Sequence, residues 1–417
     1  MTNDISTIAL EAKKIATKMA QVSSDAKNNC LKLLAKKLLA EKNAIISANQ
    51  IDVKNGKDLT PALQDRLWLD EKRITAIAEQ VITIAELPDP VGKVLDEWQR
   101  PNGLSIKKIA CPLGVVLAIY ESRPNVSIDI SALTLKSGNV AILRGGTASK
   151  STSQKLLSLM SESLKESRLP ILQTQMVMAD ERSIIGELLK MKNTIDVVVP
   201  RGGKALINYV KANATMPVFA HEDGNCHIYV DGDADIDMAT HIINNAKLRR
   251  VGICGAMETL LVDKKIASYL GVLLKPLIDA GVEFRACEIS HNILGQENIK
   301  SKLASDEDYF TEFLDKILAI KMVDGVAQAI DHINHYGSHH TDAIISASKK
   351  TAMIFLTEVN SAIVLHNAST QFADGGEFGF GAEVGVATGK FHARGPVGLK
   401  ELCSYYYQVF GDGQCRP

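Results

Sequence analysis

The sequence has no CxxC pair, no run of about 18 apolar residues, no excess of either charge and no internal repeat. Each absence removes a class. The seven cysteines, Cys30, Cys111, Cys226, Cys254, Cys287, Cys403 and Cys415, are odd in number and scattered, which argues against a disulfide framework and against structural zinc, so no metal is expected. A formal net charge of −1 provides no basic field for nucleic acid. The N-terminal stretch MTNDISTIALEAKK carries acidic residues where an apolar leader would lie. A cytoplasmic protein is expected, with neither a nucleic-acid nor a membrane partner.

What is present is globular material in quantity. At 417 residues, 46% hydrophobic and 23% charged, the chain suits two or three domains. Leu31, Leu34, Leu38 and Ile45, then Ile74, Ile77, Val81 and Ile84, recur at helical spacing until Pro88, so the first hundred residues read as helical. Pro101-Asn102-Gly103 lies between segments of strand length and predicts a protruding hairpin. From Gly114 the strand-like runs VVLAIY (115–120), VAIL (140–143), QMVMA (175–179), IDVVVP (195–200) and MPVFA (216–220) alternate with helical patterns. This alternation predicts a parallel sheet covered on both faces, with ligands beyond the carboxyl ends of its strands. After DGDADID (231–237) a second alternating unit begins, with Cys254 near its entrance. The tail SYYYQVFGDG alternates like a last strand and is expected to pair with an edge on another copy of the chain.

Three places could carry chemistry. In VVVPRGGKALINYV a strand ends, Pro200-Arg201-Gly202-Gly203 turns and a helix opens at Lys204. That arrangement suits a phosphate at a helix N-terminus, or is a bare connection, since it is not the GxGxxG fingerprint. In AILRGGTASKSTS, Arg144 precedes Gly145 and Gly146 in an acid-free stretch, which favours the 2′-phosphate of NADP over the ribose hydroxyl of NAD. Cys254 stands between Gly252 and Gly255 with Lys247, Arg249 and Arg250 just upstream, a local field that favours a thiolate. The thiol is either packed core or a nucleophile on an open backbone.

Six stretches then carry a resemblance: PLGVVLAIYESRPNVSIDISALTLKSGNVAILRGG (112–146), VPRGGKALI (199–207), HEDGNCHIYVD (221–231), CGAMETLLV (254–262), YGSHHTDAI (336–344) and NASTQFADGGEFGFGAEVGVATGKFHARGPVGLKEL (367–402). Together they resemble the glutamate-5-semialdehyde dehydrogenases, or γ-glutamyl phosphate reductases, of the aldehyde dehydrogenase superfamily. The likeness spans nearly the whole chain. It implies an α/β, aldehyde dehydrogenase-like fold with two Rossmann-type parallel-sheet domains and a small β oligomerisation flap, hence a homo-oligomer. Residues 1–99 and 112–230 would form the NADP-binding domain, and residues 231–366 the catalytic domain. Residues 100–111 and 403–413 would be the oligomerisation hairpin and strand, and 367–402 would return to the cofactor domain and the active site.

The resemblance also implies an activity, the NADPH-dependent reduction of L-glutamyl 5-phosphate to L-glutamate 5-semialdehyde and phosphate, the second step of proline synthesis. Cys254 would be the nucleophile and form a thioester. The family usually has Asn where Gly255 stands and Pro where Val251 stands, so an oxyanion donor must come from elsewhere. The backbone N–H of Cys254 and the Asn125 amide are the candidates, a helix-capping role being the alternative for Asn125. Glu312 resembles the superfamily glutamate that holds the nicotinamide ribose, with a solvated helix-end carboxylate as the alternative. Arg123 and Arg250 would take the acyl phosphate or the α-carboxylate, or make structural ion pairs. His340, Thr341, His392 and Arg394 fall in substrate-end or interface loops. Hydrolytic relatives activate water from an ELGG-like turn; here that turn reads HEDG and places His221 at the base position, or Glu222 after a one-residue shift, with a packed histidine as the alternative for His221. A hydrolytic aldehyde dehydrogenase and a non-catalytic relative are the competing readings, and the intact cysteine loop argues against the second. With no kinase domain evident, the acyl phosphate is expected from a separate glutamate 5-kinase.

Overall fold

The helical periodicity at the N-terminus is realised as α1 (Ile5–Met19), α2 (Ser24–Ala40), α3 (Lys42–Asn55), α4 (Pro61–Leu67) and α5 (Glu71–Glu86). Ser23 and Asp70 accept backbone N–H groups at the starts of α2 and α5, the usual remedy for the first-turn donors. Leu31, Leu34 and Leu38 on α2, with Ile74, Ile77, Val81 and Ile84 on α5, are buried, each worth about 1.5–3 kcal/mol of transfer from water. The computed structural model describes residues 4–177, 183–220 and 223–416. The chain divides into two units, the first of residues 1–220, 379–385 and 397–417, the second of residues 221–378 and 386–396.

In the first unit the hairpin consists of β1 (Val94–Gln99) and β2 (Ser105–Pro112), turning at Gly103 with φ of 89°. It therefore begins at Val94, before the expected residue 100, and the helical region is shorter than a hundred residues. The C-terminal strand Cys403–Phe410 pairs antiparallel with β2, from Cys403 opposite Pro112 to Phe410 opposite Ser105. One edge for it is supplied by its own chain. A separate parallel sheet has the order β5-β4-β3-β6, from β3 (Val115–Tyr120), β4 (Val140–Gly145), β5 (Thr174–Met176) and β6 (Val197–Arg201). The helices α6 (Val126–Lys136), α7 (Lys150–Glu166), α8 (Ser183–Leu188) and α9 (Lys204–Asn213) alternate with these strands. The run 216–220 makes only an isolated bridge, Val198 to Val218. Pro217 accepts the Val198 N–H at 2.9 Å but has no N–H to extend the ladder.

The second unit contains a seven-stranded sheet of order β10-β9-β11-β8-β7-β12-β13, every pair parallel. Its strands are β7 (Cys226–Val230), β8 (Met257–Asp263), β9 (Glu283–Ala286), β10 (Lys302–Leu303), β11 (Ile317–Val323), β12 (Thr341–Ile345) and β13 (Ile363–His366). Because β7 belongs here, the boundary lies at 220/221 and not after 230. The segment 367–402 is likewise divided, with 367–378 and 386–396 in the second unit and 379–385 and 397–402 in the first. All of β8 is buried. Leu260 and Val262 face one apolar cluster with Ile228, Leu273 and Phe284, and Leu261 faces the other with Tyr229 and Phe355, as alternation on a doubly covered strand requires. The helix α10 (Ile236–Leu248) leads into the loop that carries Cys254 and ends in β8. No helix among the described residues is long and apolar enough to cross a membrane.

Candidate active site

Within the second unit the functional segments meet at the amino ends of four adjacent strands. Gly224 precedes β7, Cys254 precedes β8, Glu312 precedes β11 and His340 precedes β12. In this unit the loop that carries Cys254 enters its strand and does not leave it. Cys254 is half-buried with a free thiol. Gly224 lies against its backbone so closely that a Cβ at 224 would stand 2.2 Å from the Cys254 carbonyl oxygen and 2.4 Å from its Cα. Only glycine fits there. The Gly224 N–H donates to Glu312 Oε1 at 2.8 Å, so Glu312 holds the residue that packs on the Cys254 backbone. Beneath the loop, the buried Cys226 thiol donates to the Cys254 carbonyl at 3.1 Å.

The field around Cys254 differs from the sequence reading. Lys247 is fully buried and ion-paired to the equally buried Glu258, Nζ to Oε2 at 2.6 Å. Burial lowers the lysine from its ordinary value and lifts the Glu258 carboxyl to about 7. Whether the proton lies on nitrogen or oxygen, the pair is net neutral, so Lys247 adds no positive field. Its work is mechanical: the pair joins the last turn of α10 to the start of β8, and Glu258 Oε1 also accepts the Leu314 N–H at 3.2 Å. Removing one member of such a buried pair costs about 3–5 kcal/mol. The Arg249 guanidinium bonds Gln371 at 3.3 Å. Arg250 is exposed and its guanidinium engages none of the described residues, leaving it suited to an anionic substrate group.

In the first unit both glycine turns lie at the carboxyl ends of their strands, as expected. Each following helix, however, already has a carboxylate at its N-terminus. Asp52 accepts the Ser151 and Thr152 N–H groups of α7 at 3.0 and 2.8 Å. Glu121, just after β3, accepts the Gly203 N–H at the head of α9 at 3.0 Å. The stretch that is acid-free in sequence is therefore not so in space. Pro200 is buried, Arg201 and Gly202 are half-buried, and Gly203 and Lys204 are exposed. Arg144 is 7% exposed and donates to the Gly145 carbonyl at 2.9 Å, and a Cβ at Gly145 would stand 3.0 Å from the Tyr120 ring. Gly146 is half-buried in the same turn. Asn125 makes no capping bond; its amide donates to Asp129 Oδ2 at 2.9 Å, leaving one amide hydrogen for another acceptor. Burial lifts Asp129 to about 6 against the opposing charge of Arg201. Arg123 is half-buried in the same turn.

A profile of the aldehyde dehydrogenase family matches residues 2–277. A gamma-glutamyl phosphate reductase of Parvibaculum lavamentivorans is 50% identical over 414 residues, 98% of this chain and 97% of that one. One of Brucella suis biovar 1 is 48% identical across 100% of both chains. The chain belongs to the gamma-glutamyl phosphate reductase family, within the aldehyde dehydrogenases. The crystal structure of a gamma-glutamyl phosphate reductase from Thermotoga maritima matches over 100% of both chains with a TM-score of 0.96 and 40% identity. An acetylating aldehyde dehydrogenase from Geobacillus thermoglucosidasius, 16% identical with a TM-score of 0.70 over 99% of this chain and 97% of that one, shares the fold.

For this member of the gamma-glutamyl phosphate reductase family, several expected contacts need revision. His340 and Thr341 have no accessible surface and bond one another, Nδ1 to Oγ1 at 2.9 Å, so in this structure neither side chain is open to a ligand. Arg394 donates to the Thr388 and Asn360 carbonyls at 3.0 Å each; its guanidinium stitches its own loop. His392 is exposed beside Phe391. His221 lies outside the described residues. A side chain at Gly255 would begin 3.0 Å from the Thr370 carbonyl oxygen, a crowded place for the family's asparagine. Glu121, Asp52, Cys226 and Glu258 were missed by sequence reasoning. Glu258 and Cys226 stand inside family-like stretches, which is the signal that could have found them.

Proposed function

We propose that the chain reduces L-glutamyl 5-phosphate to L-glutamate 5-semialdehyde with release of phosphate, the second step of proline synthesis. The observation that carries this reading is the Cys254 loop, closed by a buried ion pair and pressed on Gly224, in a chain of the gamma-glutamyl phosphate reductase family. The Cys254 thiolate attacks the acyl carbon, the carbonyl oxygen becomes an oxyanion, and its collapse breaks the bond to phosphate and leaves a thioester. The backbone N–H of Cys254 stabilises that oxyanion. Arg250, exposed on the Cys254 loop, holds the acyl phosphate or the α-carboxylate by forked hydrogen bonds. After reduction the thiohemiacetal loses its hydroxyl proton, its C–S bond breaks, and the semialdehyde leaves with the thiolate restored.

Aldehyde dehydrogenases use a nicotinamide cofactor, and here NADPH is the proposed one. When bound, it supplies the hydride that reduces the thioester. The Gly203 N–H at the head of α9, already holding the Glu121 carboxylate, is a position that accepts an anion, and a Cβ at Gly203 would meet nothing within 4 Å. Gly202, Gly203 and Lys204 would hold a cofactor phosphate by displacing Glu121. Arg144, with Gly145 and Gly146, would hold the 2′-phosphate. Arg144→Ala is accordingly expected to lower kcat/KM for NADPH about tenfold more than for NADH; equal losses would place the 2′-phosphate elsewhere.

The assay that tests the activity generates the labile acyl phosphate in place. Purified protein, glutamate, ATP and a separate glutamate 5-kinase should consume NADPH only when every component is present, with one semialdehyde formed for each NADPH consumed. Absence of NADPH consumption under those conditions would refute the reading.

A further inference from the structure

Cys226 opens β7, and the chemistry just described gives it no part. Its side chain is fully buried, and the thiol donates to the Cys254 carbonyl oxygen at 3.1 Å. Burial, with Asp342 adding in the same direction, pushes this thiol well above the ordinary cysteine range, so the S–H proton stays in place throughout the neutral region. The carbonyl it holds belongs to the peptide joining Cys254 to Gly255. That peptide is trans and planar, so fixing its oxygen fixes the direction of the Gly255 N–H on the opposite edge. Gly224 closes on the same oxygen from its own side, as the 2.2 Å approach of a Cβ there shows. No hydrogen bond among the described residues engages the N–H of Cys254 or of Gly255.

Two uncommitted donors beside a nucleophile, one of them on a clamped peptide, are what an oxyanion needs, because donors fixed in advance cost no reorganisation when charge develops. A buried donor is also what the carbonyl needs, since a buried acceptor without one is costly. Behind Cys226, His340 Nδ1 lies 3.9 Å from the sulfur and is itself held by Thr341 Oγ1 at 2.9 Å. The clamp is therefore supported from the amino end of β12.

We propose that Cys226 is a positioning residue for the nucleophile loop: its S–H bond to the Cys254 carbonyl fixes the peptide whose N–H, with that of Cys254, stabilises the oxyanion. The inference rests on the reading that Cys254 is the nucleophile.

The test uses the full-length enzyme with C226S, C226A and C226V, and C254A alongside. Three readouts are taken: kcat, KM for the semialdehyde, and the rate at which iodoacetamide alkylates Cys254, mapped on its peptide. C226A and C226V remove the donor and are expected to lower kcat about tenfold, the effect of roughly one hydrogen bond. KM and the alkylation rate should hold, because alkylation at a saturated carbon builds no oxyanion. C226S, which keeps a donor, should restore most of kcat. A packing role would instead impair C226S as badly as C226A, or spare C226V, and either result overturns the clamp. If C254A still turns over, the nucleophile reading falls and the clamp with it. If C254A is inactive while C226A and C226V keep the wild-type kcat, the clamp alone falls.

Discussion

Cys254→Ala is expected to abolish turnover, with a loss of several orders of magnitude in kcat. A covalent nucleophile divides one difficult displacement into two easier ones, and no neighbouring group can replace its bond to the acyl carbon. The other thiols have different surroundings. Cys287 is half-buried beside Ser290 at 3.3 Å and accepts the Met322 N–H at 3.4 Å, so it is part of the β11 framework. Cys30 and Cys403 are buried, and burial raises their thiols to about 11 and about 12. Cys111 is half-buried and raised by burial as well. Cys287→Ala should accordingly keep most of the rate. Retention of more than a few per cent of activity by Cys254→Ala, with circular dichroism unchanged, contradicts the covalent route.

Gly224→Ala should be nearly as damaging, for a geometric reason. The added methyl would stand 2.2 Å from the Cys254 carbonyl oxygen, 2.4 Å from its Cα and 2.6 Å from its carbonyl carbon. All three are backbone atoms, so no side chain can rotate aside. The strain of such overpacking is about 1–3 kcal/mol when the surroundings yield, and here yielding means moving the nucleophile. A displacement of about 1 Å at a reacting group costs on the order of 100-fold in rate. Moving residue 224 also disturbs the N–H that Glu312 holds at 2.8 Å. The expected result is a fall in kcat of about 100-fold or more with a far smaller loss of thermal stability. Wild-type kcat in Gly224→Ala would show that the two segments separate freely.

Much of this was legible in the sequence because it is written in local pattern. The stripes of α2 and α5, the alternation of short buried strands with helices, and the glycine-flanked cysteine all lie within windows of about 20 residues. What could not be read is what distant segments do to one another. Glu121 meets Gly203 across 82 positions and Asp52 meets Thr152 across 100, so both helix N-termini looked open to phosphate. Lys247 and Glu258 are only 11 apart, yet the lysine reads as a free cation until the loop between them is seen to fold back. The C-terminal strand read as an intermolecular edge because nothing local reveals that β2 waits for it. The run 216–220 is apolar like a strand, but one proline without an N–H reduces it to a bridge.

The central claim is that the Cys254 thioester is exchanged with phosphate and not with water. Water needs a general base, whereas phosphate or arsenate arrives at neutral pH already as a nucleophilic anion. The direct measurement is NADPH formation from glutamate 5-semialdehyde and NADP by the purified protein, with phosphate, with arsenate and with neither. Steady turnover is expected with either anion, and near-zero steady turnover without both. Steady NADPH formation in the anion-free buffer, with free glutamate accumulating in equal amount, would contradict the account and make the protein a hydrolytic aldehyde dehydrogenase.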